Sequence, residues 1–267
     1  GFVIMKNNLE NIIIKAVSNI INNSINDKKI YELKENHNKK IHFIPKRYRI
    51  FGGLLQSMNI QFGNFIEELM ALIISNENKF KILEEYNGKK NNKFYLSDTN
   101  IKRIDDYIAK CQYEHTADLE KEFRLLQNEI INDKGNNFIE VKCDIDLIFS
   151  NNKNIYYLEV KYNDDHDTGK FVNINKKFIT TYGAIATELK NKNFKETVIP
   201  ILFYFTNKKM KGNNYIPEKT NIRRGKRFFD EFLSIKYDDL EKCLSNISEN
   251  KKNIEIFDEL YKKIMDI

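Results

Sequence analysis

Residues 144–162 read DIDLIFSNNKNIYYLEVKY. Two runs of aliphatic and aromatic residues flank NNKN, the composition of a strand, a tight turn and a returning strand. With Asn152 and Lys153 at the tip, Asn151 faces Asn154 and facing positions sum to 305. That sum sets Asp146 across from Glu159 and Asp144 across from Lys161. Side chains alternate along a strand, so these four share one face. Ile145, Leu147, Phe149, Tyr156, Leu158 and Val160 share the other, and a slip of one residue would exchange the two sets.

Facing Cβ atoms lie roughly 4.5–5.5 Å apart, where like charges destabilise a sheet. Asp146 opposite Glu159 therefore asks for a cation. Two carboxylates suit a hard divalent ion, and Mg²⁺ keeps waters that a phosphate substrate can share. Lys161 then stands beside such a water, placed to orient it, lower its pKa or neutralise charge on the phosphate. Asp144 competes as a ligand, but Asp146 is favoured because an acid faces it. The bland alternative is a solvent-facing ladder of acids and a lysine.

The rest of the chain sets the frame. At 267 residues it is long enough for a sizeable core. Ten glycines and three prolines leave little linker material, so a single domain over 1–267 is expected. Its parts are a helical N-terminal region (about 1–135), the hairpin and core (136–207), and a basic segment with C-terminal helices (208–267). Apolar spacing predicts helices over 8–24, 62–75, 100–131 and 173–190. HFIPKRYRIFGG (42–53) reads as a basic loop, and TVIPILFYFTN (197–207) as a strand buried on both faces. The fold class is α/β or α+β, a central sheet flanked by helices.

The net charge of +6 is a mild bias toward anionic partners. Cys111, Cys143 and Cys243, with four scattered histidines, suggest neither a disulfide framework nor a zinc site. An intracellular, cytoplasmic protein is expected. No apolar run approaches the roughly 18 residues of a membrane span, and no signal peptide is read ahead of MKNN.

An Asp on one strand and Glu-x-Lys on the next resembles the PD-(D/E)XK nuclease motif. Asp146 and Glu159 are 13 positions apart, and Ile145 stands where the motif has proline. The resemblance implies a mixed sheet flanked by helices and Mg²⁺-dependent phosphodiester hydrolysis, with Asp146 and Glu159 as metal ligands and Lys161 at the attacking water. GNFIEELMALII (63–74) resembles the first-helix pattern of that superfamily, in which Glu67 completes the metal site. Helix position alone does not separate Glu67 from Glu68. A second EVK, Glu140-Val141-Lys142, has only Asp133 upstream, too near to lie on a partner strand.

DTGK (167–170), following YYLEVKYN, resembles a group of Type II restriction endonucleases whose hairpin leads into Asp-x-x-Lys. That comparison gives Asp167 and Lys170 supporting roles. RRGKRFFDEFL (223–233) resembles late segments of such enzymes, including a subgroup cutting interrupted palindromes of the GGNCC sort. The motif-bearing likeness covers roughly residues 45–190. It implies a homodimer on double-stranded DNA, with a DNA methyltransferase as companion in the system. A repair nuclease or Holliday-junction resolvase of the same core is the alternative, as is a non-catalytic nucleic-acid-binding protein.

Two basic segments suit DNA. PKRYR supplies Lys46, Arg47 and Arg49. NKKMKGNNYIPEKTNIRRGKR (207–227) supplies Lys211, Asn213, Asn214, Arg223, Arg224 and Lys226, along with Lys208, Lys209 and Arg227. His166, alone among acids, is expected to be exposed.

Overall fold

A computed structural model describes residues 2–267, and all side chains there except those of 2–6 and 89–91. Three helices open the chain: α1 (Phe2–Ser24), α2 (Asp27–Asn38) and α3 (Lys46–Ser75). Strands β1 (Lys81–Ile82) and β2 (Gly88–Ser97) lead to helices α4 (Asp98–Tyr113) and α5 (Leu119–Ile131). Then come β3 (Phe138–Ile145), β4 (Leu147–Ser150), β5 (Asn154–Lys161), α6 (Thr168–Asn191) and β6 (Thr197–Tyr204). The final elements are α7 (Glu218–Asn221), β7 (Ile222–Arg224), α8 (Gly225–Phe232), α9 (Tyr237–Ser248) and α10 (Lys251–Met265). By internal contacts the chain divides into two compact units, residues up to Glu68 with Ser234–Ile267, and Leu69–Leu233.

The second unit holds a five-stranded sheet in the order β1-β4-β5-β6-β7 and a separate β2–β3 ribbon. β1, β4 and β5 pair antiparallel, while β5, β6 and β7 run parallel. This is the mixed sheet flanked by helices that the resemblance implies. β5 is covered on both faces, which explains why it is apolar at almost every position. On one face Tyr157 stacks on Phe178 of α6, with ring centroids 5.3 Å apart. On the other, Tyr156 meets Phe149 and Phe232, and Phe228 closes the cluster against Phe203.

The first unit is helical, around a core of Ile30, Ile50, Leu54, Met58, Leu260 and Ile264. Here the structure revises the sequence reading. KRYRIFGG is no loop, because α3 begins at Lys46, directly after Pro45, and continues through Gly52 and Gly53. Gly53 is retained for closeness: a Cβ there would stand 3.0 Å from Leu33 of α2. The block 100–131 also breaks in two. Ser97 caps α4 by accepting from Asn100 N–H, and Asp118 caps α5 by accepting from Lys121 N–H. Among the described residues no helix is long and apolar enough to cross a membrane.

Candidate active site

The facing sum of 305 holds along β4 and β5, pairing Leu147 with Leu158, Ile148 with Tyr157, Phe149 with Tyr156 and Ser150 with Ile155. Asn152 turns the tip with φ 69°, a left-handed conformation asparagine tolerates better than most residues. The ladder then stops. The chain bends at Asp146, and β3 leaves to pair with β2, Phe94 against Val141 and Tyr95 against Glu140. Two expected pairings are corrected accordingly: Asp146 does not face Glu159 within a continuous ladder, and Asp144 does not face Lys161. Asp144 lies exposed on the ribbon, as do Glu140 and Lys142 of the second EVK.

The bend has a chemical cause. Asp146 Oδ2 accepts the backbone N–H of Val160 at 2.8 Å. A side-chain oxygen occupies the place of a ladder carbonyl, which ends the pairing and fixes the carboxylate beside β5. Competition of this kind between aspartate and backbone partners is common where regular structure breaks.

Glu159 is 6% exposed, not solvent-facing. Its Oε2 accepts from the Tyr157 hydroxyl at 3.0 Å, and its Oε1 from Lys161 Nζ at 3.0 Å. The lysine is only partly covered, at 26% side-chain exposure. Tyr157 is wholly buried, and Thr181 of α6 lies beside its hydroxyl. Burial first, then the charges of Glu159 and Asp146, push this phenol well above its ordinary pKa, so it remains a donor. Both carboxylates are thus within electrostatic reach of one buried hydroxyl. A buried hydroxyl left unpaired costs about 1–3 kcal/mol, which makes this contact a constraint on both partners.

The donor chemistry fits a hard divalent cation. Ionised carboxylate oxygens carry more lone pairs than the hydrogen bonds above engage. Among the described residues no group of three or more His, Cys, Asp or Glu side chains converges. Water, backbone carbonyls and substrate oxygens would complete a coordination shell, as Mg²⁺ commonly allows. Glu67 lies in the first unit on α3, where it is half-buried while Glu68 is exposed.

Beyond β5 the acidic cluster separates into distinct roles. Asp167 is the N-cap of α6, accepting from the backbone N–H of Lys170 at 2.8 Å. The Lys170 side chain is exposed. Asp164, which the sequence reading gave no role, is fully buried. It accepts from the backbone N–H groups of Met210 (3.0 Å), Lys211 (3.3 Å) and Gly212 (2.9 Å), and from Arg224 at 3.0 Å. His166 is also buried, at 9% exposure, which corrects the expectation of an exposed ring. Neither ring nitrogen has a hydrogen-bond partner, and the ring meets Phe171 edge-on at 5.6 Å. Burial first, then Lys170 and Lys161, lower its pKa and keep it neutral.

The basic segments divide in the same way. Lys46, Arg47 and Arg49 lie in the first turn of α3. Lys46 reaches Asn38 at 2.8 Å, Arg47 the Met265 carbonyl at 3.1 Å and Arg49 the Ile44 carbonyl at 2.9 Å. Lys211 is exposed, 2.7 Å from the His166 carbonyl and 3.2 Å from Asp165. Asn213 Oδ1 accepts from the N–H groups of Tyr215 and Ile216, and its amide donates to Asn175, so it shapes its own loop. Asn214 is exposed and donates to the Cys111 carbonyl at 3.1 Å. Arg223 pairs with Glu231 at 2.7 Å. Arg224 is 8% exposed, held between Asp164 and Glu218 and lying over the Tyr204 ring. Its inward direction was readable, because it shares a strand face with Ile222. Lys226 and Arg227 are exposed and line a surface groove with Asn207, Asp230 and Glu231.

Residues 5–248 match the family described as "Type II restriction endonuclease, HinfI". The chain is 55% identical over 263 residues to the "Type II restriction enzyme HinfI" of Haemophilus influenzae, covering 98% of this chain and 99% of that protein. No solved structure matches the chain.

Proposed function

Because the chain belongs to the HinfI family of Type II restriction endonucleases, site-specific enzymes that cleave double-stranded DNA, we propose that Asp146, Glu159 and Lys161 form its cleavage centre. Type II restriction enzymes generally use divalent metal ions. Mg²⁺ is the ion proposed here, with Asp146 and Glu159 holding it and Asp144 a weaker candidate. When bound, such an ion polarises a phosphoryl oxygen and makes bound water a better nucleophile. Asp146 is steadied for this by the Val160 N–H, and Glu159 by Tyr157. Lys161, on the partly open side of Glu159, neutralises charge on the attacked phosphate or orients the attacking water. For Glu67 the resemblance of its helix carries the proposal of an auxiliary acid.

Lys46, Arg47, Arg49, Lys211, Asn214, Arg223 and Lys226 are proposed to meet DNA. Asn213 and Arg224 act on it indirectly by holding the 207–227 segment, and Asp167 places Lys170 in the first turn of α6. The chain works as one nuclease, and as a homodimer, since two-fold symmetry matches a palindromic site cut once on each strand. A methyltransferase protecting the same site and a cytoplasmic location belong to this reading.

The observation that carries the proposal is a buried glutamate bonded by a lysine two residues on, beside an aspartate pinned to the same strand. Glu159→Ala and Lys161→Ala are expected to lose plasmid cleavage in Mg²⁺ while retaining a DNA gel shift. Discrete plasmid fragments from both variants would sink the assignment.

A further inference from the structure

Glu159 has one donor open to solvent and one sealed in the core. Lys161 is the open one. The sealed one is Tyr157, on the same strand face, with no exposed surface and its hydroxyl 3.0 Å from Glu159 Oε2. The ring alone would be served by phenylalanine, because its neighbours are apolar: it stacks on Phe178 and lies in one cluster with Ile148, Ile155 and Leu202. What the hydroxyl adds is a fixed direction. Thr181, 1% exposed on α6, lies beside the hydroxyl, so the oxygen sits between a helix and the carboxylate. The aromatic ring has only two side-chain torsions, and the stack on Phe178 restricts them.

We infer that Tyr157 is a positioning residue that fixes the orientation of the Glu159 carboxylate and so sets how strongly this chain takes up its divalent ion. The inference rests on Glu159 being a metal ligand. Lys161 cannot substitute, because a flexible, partly exposed ammonium fixes no orientation, and it has the phosphate to serve. Tyr157 touches neither substrate nor ion. Partners behind a metal ligand commonly change metal affinity or activity by about 10–100-fold when removed.

The test uses the full-length chain, with Mn²⁺ titrated calorimetrically and cleavage of duplex DNA followed against Mg²⁺ concentration. Tyr157→Phe is expected to weaken Mn²⁺ uptake by about tenfold and raise the Mg²⁺ requirement similarly, with KM for DNA kept. A purely structural role for the hydroxyl would lower the melting temperature and leave the metal titration where it was. Thr181→Val, which removes the polar neighbour of the hydroxyl along with its contact to Cys143, should shift both titrations the same way by a smaller factor. It also decides the question should Tyr157→Phe fail to fold.

Parent-like Mn²⁺ uptake in the folded variants would overturn the inference. Glu159→Gln separates the two levels of claim. Loss of cleavage and uptake there, with a parent-like Tyr157→Phe, overturns the positioning role alone. Retained cleavage and uptake in Glu159→Gln overturns the metal-ligand reading and the inference built on it.

Discussion

Glu159 and Asp164 are buried acids five residues apart on one stretch of chain, and their surroundings are opposite in kind. Glu159 takes its hydrogen bonds from side chains, one of them a partly exposed lysine. Asp164 takes its own from three backbone N–H groups and a buried guanidinium. The partly exposed lysine can yield to a cation without disturbing the fold. Backbone donors cannot, because moving them moves the loop. One carboxylate is therefore available for chemistry, and the other joins the end of the β5 strand to the basic segment that follows β6.

The sharpest way to break this comparison is to delete each acid in turn. Glu159→Ala should lower the cleavage rate roughly a thousandfold or more, since metal-based stabilisation of a transition state is worth several kcal/mol and each 1.36 kcal/mol is about tenfold. Its stability should fall only by the roughly 1–3 kcal/mol that an unpaired Tyr157 hydroxyl costs. Asp164→Ala should do the reverse at the level of the fold. It strands the buried N–H of Gly212 and the part-buried N–H groups of Met210 and Lys211 and removes a partner of Arg224, a loss of about 3–5 kcal/mol in urea unfolding. Equal stability losses in the two variants would erase the distinction.

Acid sharpens it further. Burial alone would raise the Asp164 carboxyl, but the N–H groups of Gly212 and Met210 and the charge of Arg224 outweigh it and hold the pKa below the ordinary aspartate value. A carboxyl depressed in the folded state contributes stability that is complete above its unfolded pKa, about 3.9. That contribution falls as pH drops through this value and is gone below the folded pKa. Melting temperatures between about pH 5 and pH 3 should therefore fall more steeply for the parent than for Asp164→Asn. Parallel curves would show that the guanidinium and N–H groups do not favour the ionised acid.

A smaller effect is expected at Gly212, the loop residue that reaches Asp164 with φ +82°. A Cβ there is strained by the backbone angle and would run into Lys209. Gly212→Ala should cost about 1–2 kcal/mol of stability, visible as a lower melting temperature with cleavage retained.

The hairpin was legible because a period of two, an asparagine-rich turn and one unbroken apolar face admit a single register. The register arithmetic failed from Asp146 back through Asp144, where it assumed a continuous strand. Pairing sums say nothing of a carboxylate that takes a backbone N–H and ends the ladder. Asp164, Asp165 and Asp167 look alike as letters in an acidic turn. What separates the joint at Asp164 from the surface acid at Asp165 is a loop more than forty residues later, which local pattern does not reveal, whereas the cap at Asp167 is made three residues on. Arg224 was misplaced for a different reason. Its basic neighbours drew it to the surface set, although strand alternation with buried Ile222 already pointed it inward.

The smallest expected effect tests whether that distinction among cations has a meaning for DNA. Lys208 is exposed near the start of the segment that Asp164 anchors. If it neutralises one phosphate, Lys208→Ala should reduce the slope of log affinity against log salt by about 0.9, with the melting temperature unchanged. Arg224→Met should instead lower the melting temperature, because it leaves Asp164 buried without its cation, and its effect on DNA affinity should follow from the displaced loop. Filter binding across a salt series in Ca²⁺ reads both. A parent-like slope for Lys208→Ala would take that contact away from DNA. Should Lys211→Ala and Lys226→Ala behave the same way, the joint at Asp164 would be left holding a loop with no phosphate to meet, and the recognition surface would have to be sought elsewhere on the chain.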